Sequence, residues 1–151
     1  MAINTPIWDA WQFLLGEWIG EGGGTPGQGG GGMTFHFDLQ GQVLLRLNHM
    51  DFLATPERPA FAHDDLTVIY PQPDGAMRAI YFDNEGHVIP YSVTSTADTI
   101  ILVSDPEPSA PRFRTTYLKG ENRSVITRFE IAPPGDPDGF AIYVEGSAKR
   151  K

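Results

Sequence analysis

The sequence predicts an all-β fold: a single closed antiparallel β-barrel of about ten strands, with a short N-terminal helix covering one end. Three observations predict it. From Trp18 to Lys149 the chain runs as about ten short β-rich segments separated by glycine, proline, aspartate and asparagine clusters. Its 17 glycines and 13 prolines fall mainly between the apolar runs, as a fold with many turns requires. One helical pattern is present, and it precedes the first strand. At 151 residues the chain (1–151) is one domain, long enough to bury a core without covalent staples.

The helix is expected over 6–15. Thr5 suits its cap, Pro6 its first position and Gly16 its stop, while Ile7, Trp8, Trp11, Leu14 and Leu15 share an apolar face. So short a helix is unstable alone, so its tryptophans are expected to dock on an open barrel end. Residues 16–22 form a short strand around Trp18. The eight glycines between 22 and 32 read as a flexible connection. A nucleotide loop is disfavoured, because no Gly-Lys-Ser/Thr follows and 33–39 alternates as a strand.

After the turn at 40–42, a longer strand runs from Val43 to about Phe52. Residues 54–65, with Pro56, Pro59 and several charges, read as the longest loop, and His63-Asp64-Asp65 as part of it. Further strands are expected near 66–70, 77–82, 88–95, 99–104, 112–118, 124–131 and 140–148. The intervening connections are short enough to join antiparallel neighbours. Pro90 lacks an N–H for the ladder and belongs at a bulge or beside a gap between strands.

Net charge is −8 and the isoelectric point about 4.8. Phosphate neutralisation needs a basic surface, so the composition argues against nucleic-acid and anionic-membrane partners. Lys149-Arg150-Lys151 reads as a solvated tail. Cysteine is absent, which removes disulfides, thiolate metal sites and thiol nucleophiles. No signal-peptide pattern or transmembrane-length apolar run is found, and a cytoplasmic location is the expectation.

The run Leu14-Leu15-Gly16-Glu17-Trp18-Ile19-Gly20-Glu21-Gly22, behind an aromatic helix, resembles the first strand of the calycin superfamily of lipocalins, fatty-acid-binding proteins and nitrobindin-like haem proteins. The Gly-x-Trp-x-Gly-x-Gly pattern with Pro26 nearby is similar to nitrobindin. The whole chain, including 81–88, looks like an uncharacterised bacterial calycin-like family. The resemblance implies a ligand-holding barrel. Nitrobindin-like proteins hold haem through a histidine close to the C-terminus, whereas no histidine follows His87 here. A haem site would need His36, His49 or His87 instead.

A ten-stranded barrel is wider than side chains easily fill, so the inward faces carry the functional reading. Tyr81, His87 and Tyr91 share phases that gather them at one end of a cavity. On residues 43–52 two phases compete: His49 and Asp51 share one, Arg46 and Asn48 the other. An inward Arg46 would need a hydrogen-bonding or anionic partner. Tyr117, with Phe113, belongs to the inward phase of its strand, with Arg112 and Arg114 outside. Tyr143, if inward, is a further hydroxyl for a ligand. His36 reads as solvated. Adjacent strand residues point apart, so His63-Asp64-Asp65 makes no metal site. No nucleophile, base and orienting group stand in a recognisable catalytic arrangement, which leaves enzyme activity undecided and favours binding.

The expected function is binding of a small apolar or amphipathic molecule inside the barrel, with Arg46, Asn48, Tyr81, His87, Tyr91, Tyr117 and Tyr143 as ligand-binding candidates and no cofactor or metal. The alternatives are a haem protein and a structural barrel filled by its own side chains. A homodimer is left open.

Overall fold

A computed structural model describes residues 6–21 and 28–151. Ten strands, β1 (Gly16–Glu21), β2 (Gln28–Asp38), β3 (Val43–Phe52), β4 (Phe61–Pro71), β5 (Met77–Asp83), β6 (Val88–Ser95), β7 (Thr99–Ser104), β8 (Arg112–Lys119), β9 (Ser124–Ala132) and β10 (Ala141–Arg150), follow a 3-10 helix at Pro6–Leu14. Each strand pairs antiparallel with its sequence neighbours, and β1 closes the ring against β10. The expected barrel and its strand number are both present. The expected cap Thr5, Pro26 and glycines 22–24 and 27 lie outside the described residues.

The helix plugs one end. Trp8, Trp11 and Leu14 are buried, and the Trp8 ring meets Phe37 edge-on at 5.2 Å. Trp8 Nε1 donates to Gly41 O at 3.2 Å, and Trp18 Nε1 to Leu14 O at 2.7 Å, so both indole N–H groups are satisfied where the ring is buried. The tight 3-10 winding passes into β1 through Gly16, whose φ of +114° is open to glycine. Below the plug, Phe35, Leu44, Ile69, Ile100 and Val125 fill that half of the barrel completely.

Three sequence expectations are corrected. Gly31 and Gly32 belong to strand β2 and not to a flexible connection. A Cβ on Gly31 would sit 2.6 Å from His49 O and one on Gly32 2.9 Å from Trp18 O, so close backbone approach selects glycine there. Residues 61–65 are strand: β4 begins at Phe61, which places His63, Asp64 and Asp65 in the ladder with β3. The basic C-terminus is also strand. Arg150 pairs with Trp18, stacks on its ring at 4.5 Å and donates to the carbonyls of Leu15 and Phe13, which fastens β10 to the plug.

Pro90 sits where the β6–β7 ladder ends, next to the Tyr91↔Ser104 pair, and its carbonyl accepts from Asp105 N at 3.0 Å. The missing N–H therefore falls beyond the last ladder bond. On the outer wall, Leu47, Leu66, Phe82 and Val88 lie side by side across β3 to β6, with Leu45, Val68, Ile80 and Pro90 as a second row. Among the described residues no helix is long and apolar enough to cross a membrane.

Candidate functional site

Strand alternation settles the phase the sequence left open. On β3, Leu44, Arg46, Asn48 and Met50 point inward, while His49 and Asp51 are exposed. On β4 the inward set is Phe61, His63, Asp65, Thr67 and Ile69; on β5 it includes Ala79, Tyr81 and Asp83. The register sets Asp65 opposite Asn48 on one side and opposite Asp83 on the other. Arg46 is the diagonal neighbour of Asp65, within reach of a long side chain.

These inward polar groups form one hydrogen-bonded chain. Arg46 Nη1 donates to Asp65 Oδ1 at 2.7 Å, and Asn48 Nδ2 to Asp65 Oδ2 at 2.9 Å. His63 Nε2 lies 3.0 Å from Asp65 Oδ2 and 3.3 Å from the Tyr81 hydroxyl. Tyr81 donates its own proton to Asp83 Oδ2 at 2.9 Å, so both neighbours of His63 Nε2 offer lone pairs, which assigns a proton to that nitrogen. His87 Nδ1 reaches the same Asp83 oxygen at 2.9 Å, while Asp83 Oδ1 accepts the backbone N–H groups of Glu85 and His87. Glu85 stands 3.5 Å from His63 Nδ1 at the rim.

The electrostatics follow from these contacts. Desolvation would raise the Asp83 carboxyl, but the donors from His87, Tyr81 and Glu85 outweigh it and hold the group down at about 2. Burial, then the Asp65 and Asp83 carboxylates, push the Tyr81 phenol above its ordinary value; burial and neighbouring Tyr117 do the same to Tyr91. Burial also leads the upward shift of Tyr117. All three remain neutral hydroxyls near neutral pH. Burial opposes the charge of Arg46, yet Tyr117 and Asp65 around it leave the cation net stabilised.

Arg46 is the unfinished part of the chain. Its side chain is only 13% exposed, and Nε is buried with no hydrogen-bond partner among the described residues. The guanidinium stands 5.8 Å from the Tyr117 ring, which itself meets Phe35 edge-on at 5.4 Å across the barrel. Tyr91 and Tyr117, 4% and 3% exposed, are buried beside it. Several inward residues toward the mouth, including Met50, Phe113, Thr115, Thr127 and Phe129, stay half-exposed although their side chains face the barrel axis, so water-sized space reaches them. The barrel thus has the outline of a cup, tightly packed at the plugged end and less tightly at its mouth.

Of the sequence candidates, Arg46, Asn48, Tyr81, Tyr91 and Tyr117 come together inside this cup. His87 is at its rim, 59% exposed and tied to Asp83. Tyr143 stands apart: it is 73% exposed beside a register shift in β10, its ring 6.1 Å from Phe129. His63, Asp65 and Asp83 are site residues that the sequence reading missed. The signal was there in Phe61, His63, Asp65, Thr67 and Ile69, which alternate without a break into a strand already expected.

Two clefts lie outside the cup. One of about 400 Å3 is lined by Pro106, Pro108, Arg112, Pro133 and Pro137, and one of about 290 Å3 by Leu47, Asp64, Asp65, Leu66, Phe82, Asp83 and Asn84. The second touches Asp65 and Asp83 of the polar chain, and neither is lined by Arg46, Tyr81, Tyr91 or Tyr117. Among the described residues no group of three or more His, Asp or Glu is placed to hold a metal ion.

A haem inside the barrel does not fit these residues. His36 and His49 face outward, His63 Nε2 is tied to Asp65 and Tyr81, and His87 is at the rim. No protein-family model and no curated protein matches the chain in sequence.

Proposed function

We propose that this chain is a small-molecule binding protein of calycin-like design, which takes the apolar part of an amphipathic ligand into the open half of the barrel. The half-exposed interior apolar side chains supply the affinity, and the polar chain at Arg46, Tyr91 and Tyr117 orients the other end. The observation that carries this reading is the Arg46 Nε. A buried donor without an acceptor costs about 1–3 kcal/mol, and native interiors rarely leave one so. Nε has almost no accessible surface, so a ligand oxygen would complete it only where neighbouring side chains give way.

Native mass spectrometry of the purified protein, with a thermal-shift screen over alkanoates, retinoid-like molecules and haem, tests the proposal. A retained mass, or a melting temperature that rises with added compound and no longer does so in Arg46→Met, supports it. If no mass is retained and no compound stabilises the fold, the barrel is a structural module filled from within.

A further inference from the structure

Strands β3 to β6 reverse the side-chain order that water imposes on a barrel wall. An antiparallel wall between core and solvent sets apolar residues inside and polar ones outside. β2 obeys, with Met33, Phe35 and Phe37 inside and Thr34, His36 and Asp38 outside. On β3 to β5 it is Arg46, Asn48, Asp65, Tyr81 and Asp83 that face in, while leucine, valine, isoleucine and phenylalanine face out. The two outer rows, one from Leu47 to Val88 and one from Leu45 to Pro90, run unbroken across four strands. The partly buried apolar side chains packed on the core include Met77, Tyr81, Ile89 and Val93 and none from these rows. A continuous apolar face of this kind marks a contact surface.

The surroundings of the face choose its cover. A membrane span needs an apolar band round the whole barrel. Here the outward His36 and Asp38 on β2, and Arg114 with its partner Glu130 on β8 and β9, break such a band. Adsorption to anionic lipid is opposed by the net charge of −8 and by Asp51 and Asp64, exposed beside Leu47 and Leu66. A second copy of this chain meets neither objection. The face is bounded towards the mouth by His49, Asp51 and Asp64, and towards the plug by Tyr70, Arg78 and Ser92. A two-fold axis crossing the strands midway between the apolar rows lays each row on the other row of the second copy. It also sets Asp64 over the second copy's Tyr70 and Arg78, and turns that tyrosine towards the 290 Å3 cleft lined by Leu47, Leu66 and Phe82. An axis along the strands would instead set the acidic edge against itself, which like charges oppose.

We infer that the β3–β6 wall is the interface of a homodimer, two copies packing these sheets face to face about an axis that crosses the strands. Four strands and four rows of side chains cover about 500 Å2 in projection on each copy, so about 1,000 Å2 in total before side-chain relief is counted, where specific interfaces begin. The interface lies outside the barrel and is independent of any ligand within it.

Sedimentation equilibrium of the full chain from about 1 to about 200 µM tests the inference. A reversible monomer–dimer equilibrium is expected. Both copies carry −8, so the dimer should tighten as salt rises from about 50 to about 500 mM. Leu66→Gln combined with Phe82→Gln keeps the charge and should weaken the dimer at least about tenfold. Val88→Gln alters a residue already 62% exposed, which spares the core, and should weaken it about threefold or more. Ile142→Gln, on the opposite wall, should leave it unchanged. A monomer at every concentration overturns the inference, and a monomer that floats with phosphatidylcholine vesicles gives the wall to lipid instead. A dimer indifferent to Leu66, Phe82 and Val88, or lost in Ile142→Gln, places the interface elsewhere. A dimer that loosens with salt is held by ion pairs and not by this face. Should the Leu66 and Phe82 double variant not fold, Val88→Gln and Ile142→Gln still decide.

Discussion

Removing either member of the Arg46–Asp65 pair should have unequal consequences, and the inequality can be worked from the contacts. Asp65→Ala takes away the one carboxylate bonded to Arg46 among the described residues and leaves the guanidinium with the Tyr117 ring at 5.8 Å and an already unpaired Nε. Asn48 and His63 lose their acceptor as well. Breaking a buried pair in this sense costs about 3–5 kcal/mol, because the remaining charge has nowhere to go. Arg46→Met leaves Asp65 its bonds from Asn48 Nδ2 at 2.9 Å and from His63 at 3.0 Å, and it abolishes the orphan Nε. Its cost should be about 1–2 kcal/mol. Arg46→Met combined with Asp65→Leu removes both charges together but still leaves Asn48 and His63 without their acceptor, so it should cost about 1–3 kcal/mol, less than Asp65→Ala alone. Urea unfolding at pH 7, with the denaturant slope held equal among variants, reads all three free energies. A cost for Asp65→Ala below about 1 kcal/mol, or one no greater than that of Arg46→Met, would show that the pair is not closed off from water as its contacts require.

Other perturbations probe the plug and the rim. Trp11→Ala empties a site that is 1% exposed in the plugged end and should cost about 3–5 kcal/mol in chemical denaturation, while the far-ultraviolet strand signal persists. The Asp83 carboxyl, held at about 2 against an ordinary 3.8, contributes stability above pH 4 that is lost as pH falls towards 2. Asp83→Asn should therefore flatten the acid limb of a stability–pH profile and cost of order 1 kcal/mol at pH 7, after allowance for screening at the rim. On the outer wall, hydrogen bonds donated to Asp64 and Asp51 raise the exposed His49 above its ordinary 6.5. Its protonated form contributes fully below that ordinary value, and the contribution disappears as pH rises through the raised one. Proton-resonance titration should show the His49 midpoint falling back in Asp64→Asn.

How far the sequence carried depends on whether each signal was local. The strands 88–95 and 99–104 were readable to the residue, because turn residues bound them and their alternation is unbroken. The start of β4 was not. Pro56, Pro59 and the acidic run after His63 resemble a loop when polarity is read as exposure, yet an inward polar row is what a polar interior writes into a strand. The β2 glycines failed for a different reason. Their strand state rests on carbonyls of His49 and Trp18 pressing close from both neighbours, a fact of register that no window of residues contains. The same holds for the site. The sequence left Arg46 and Asn48 as one of two competing phases, and only the pairing of Asn48 with Asp65, and of Asp65 with Asp83, shows which partners they find.

That last pairing explains why the interior is built as it is. Two carboxylates directly opposite each other on adjacent strands repel, and burial strengthens the repulsion. The barrel separates them by giving each its own donors: Arg46 and Asn48 serve Asp65 from β3, and the 83–87 turn serves Asp83 from the rim. His63 and Tyr81 stand between the two sets and join them, with the imidazole on Asp65 and the phenol on Asp83. The polar chain is therefore what stabilising two like charges in one wall requires. It follows that loosening the 83–87 turn should lower stability by leaving Asp83 to face Asp65 with fewer donors.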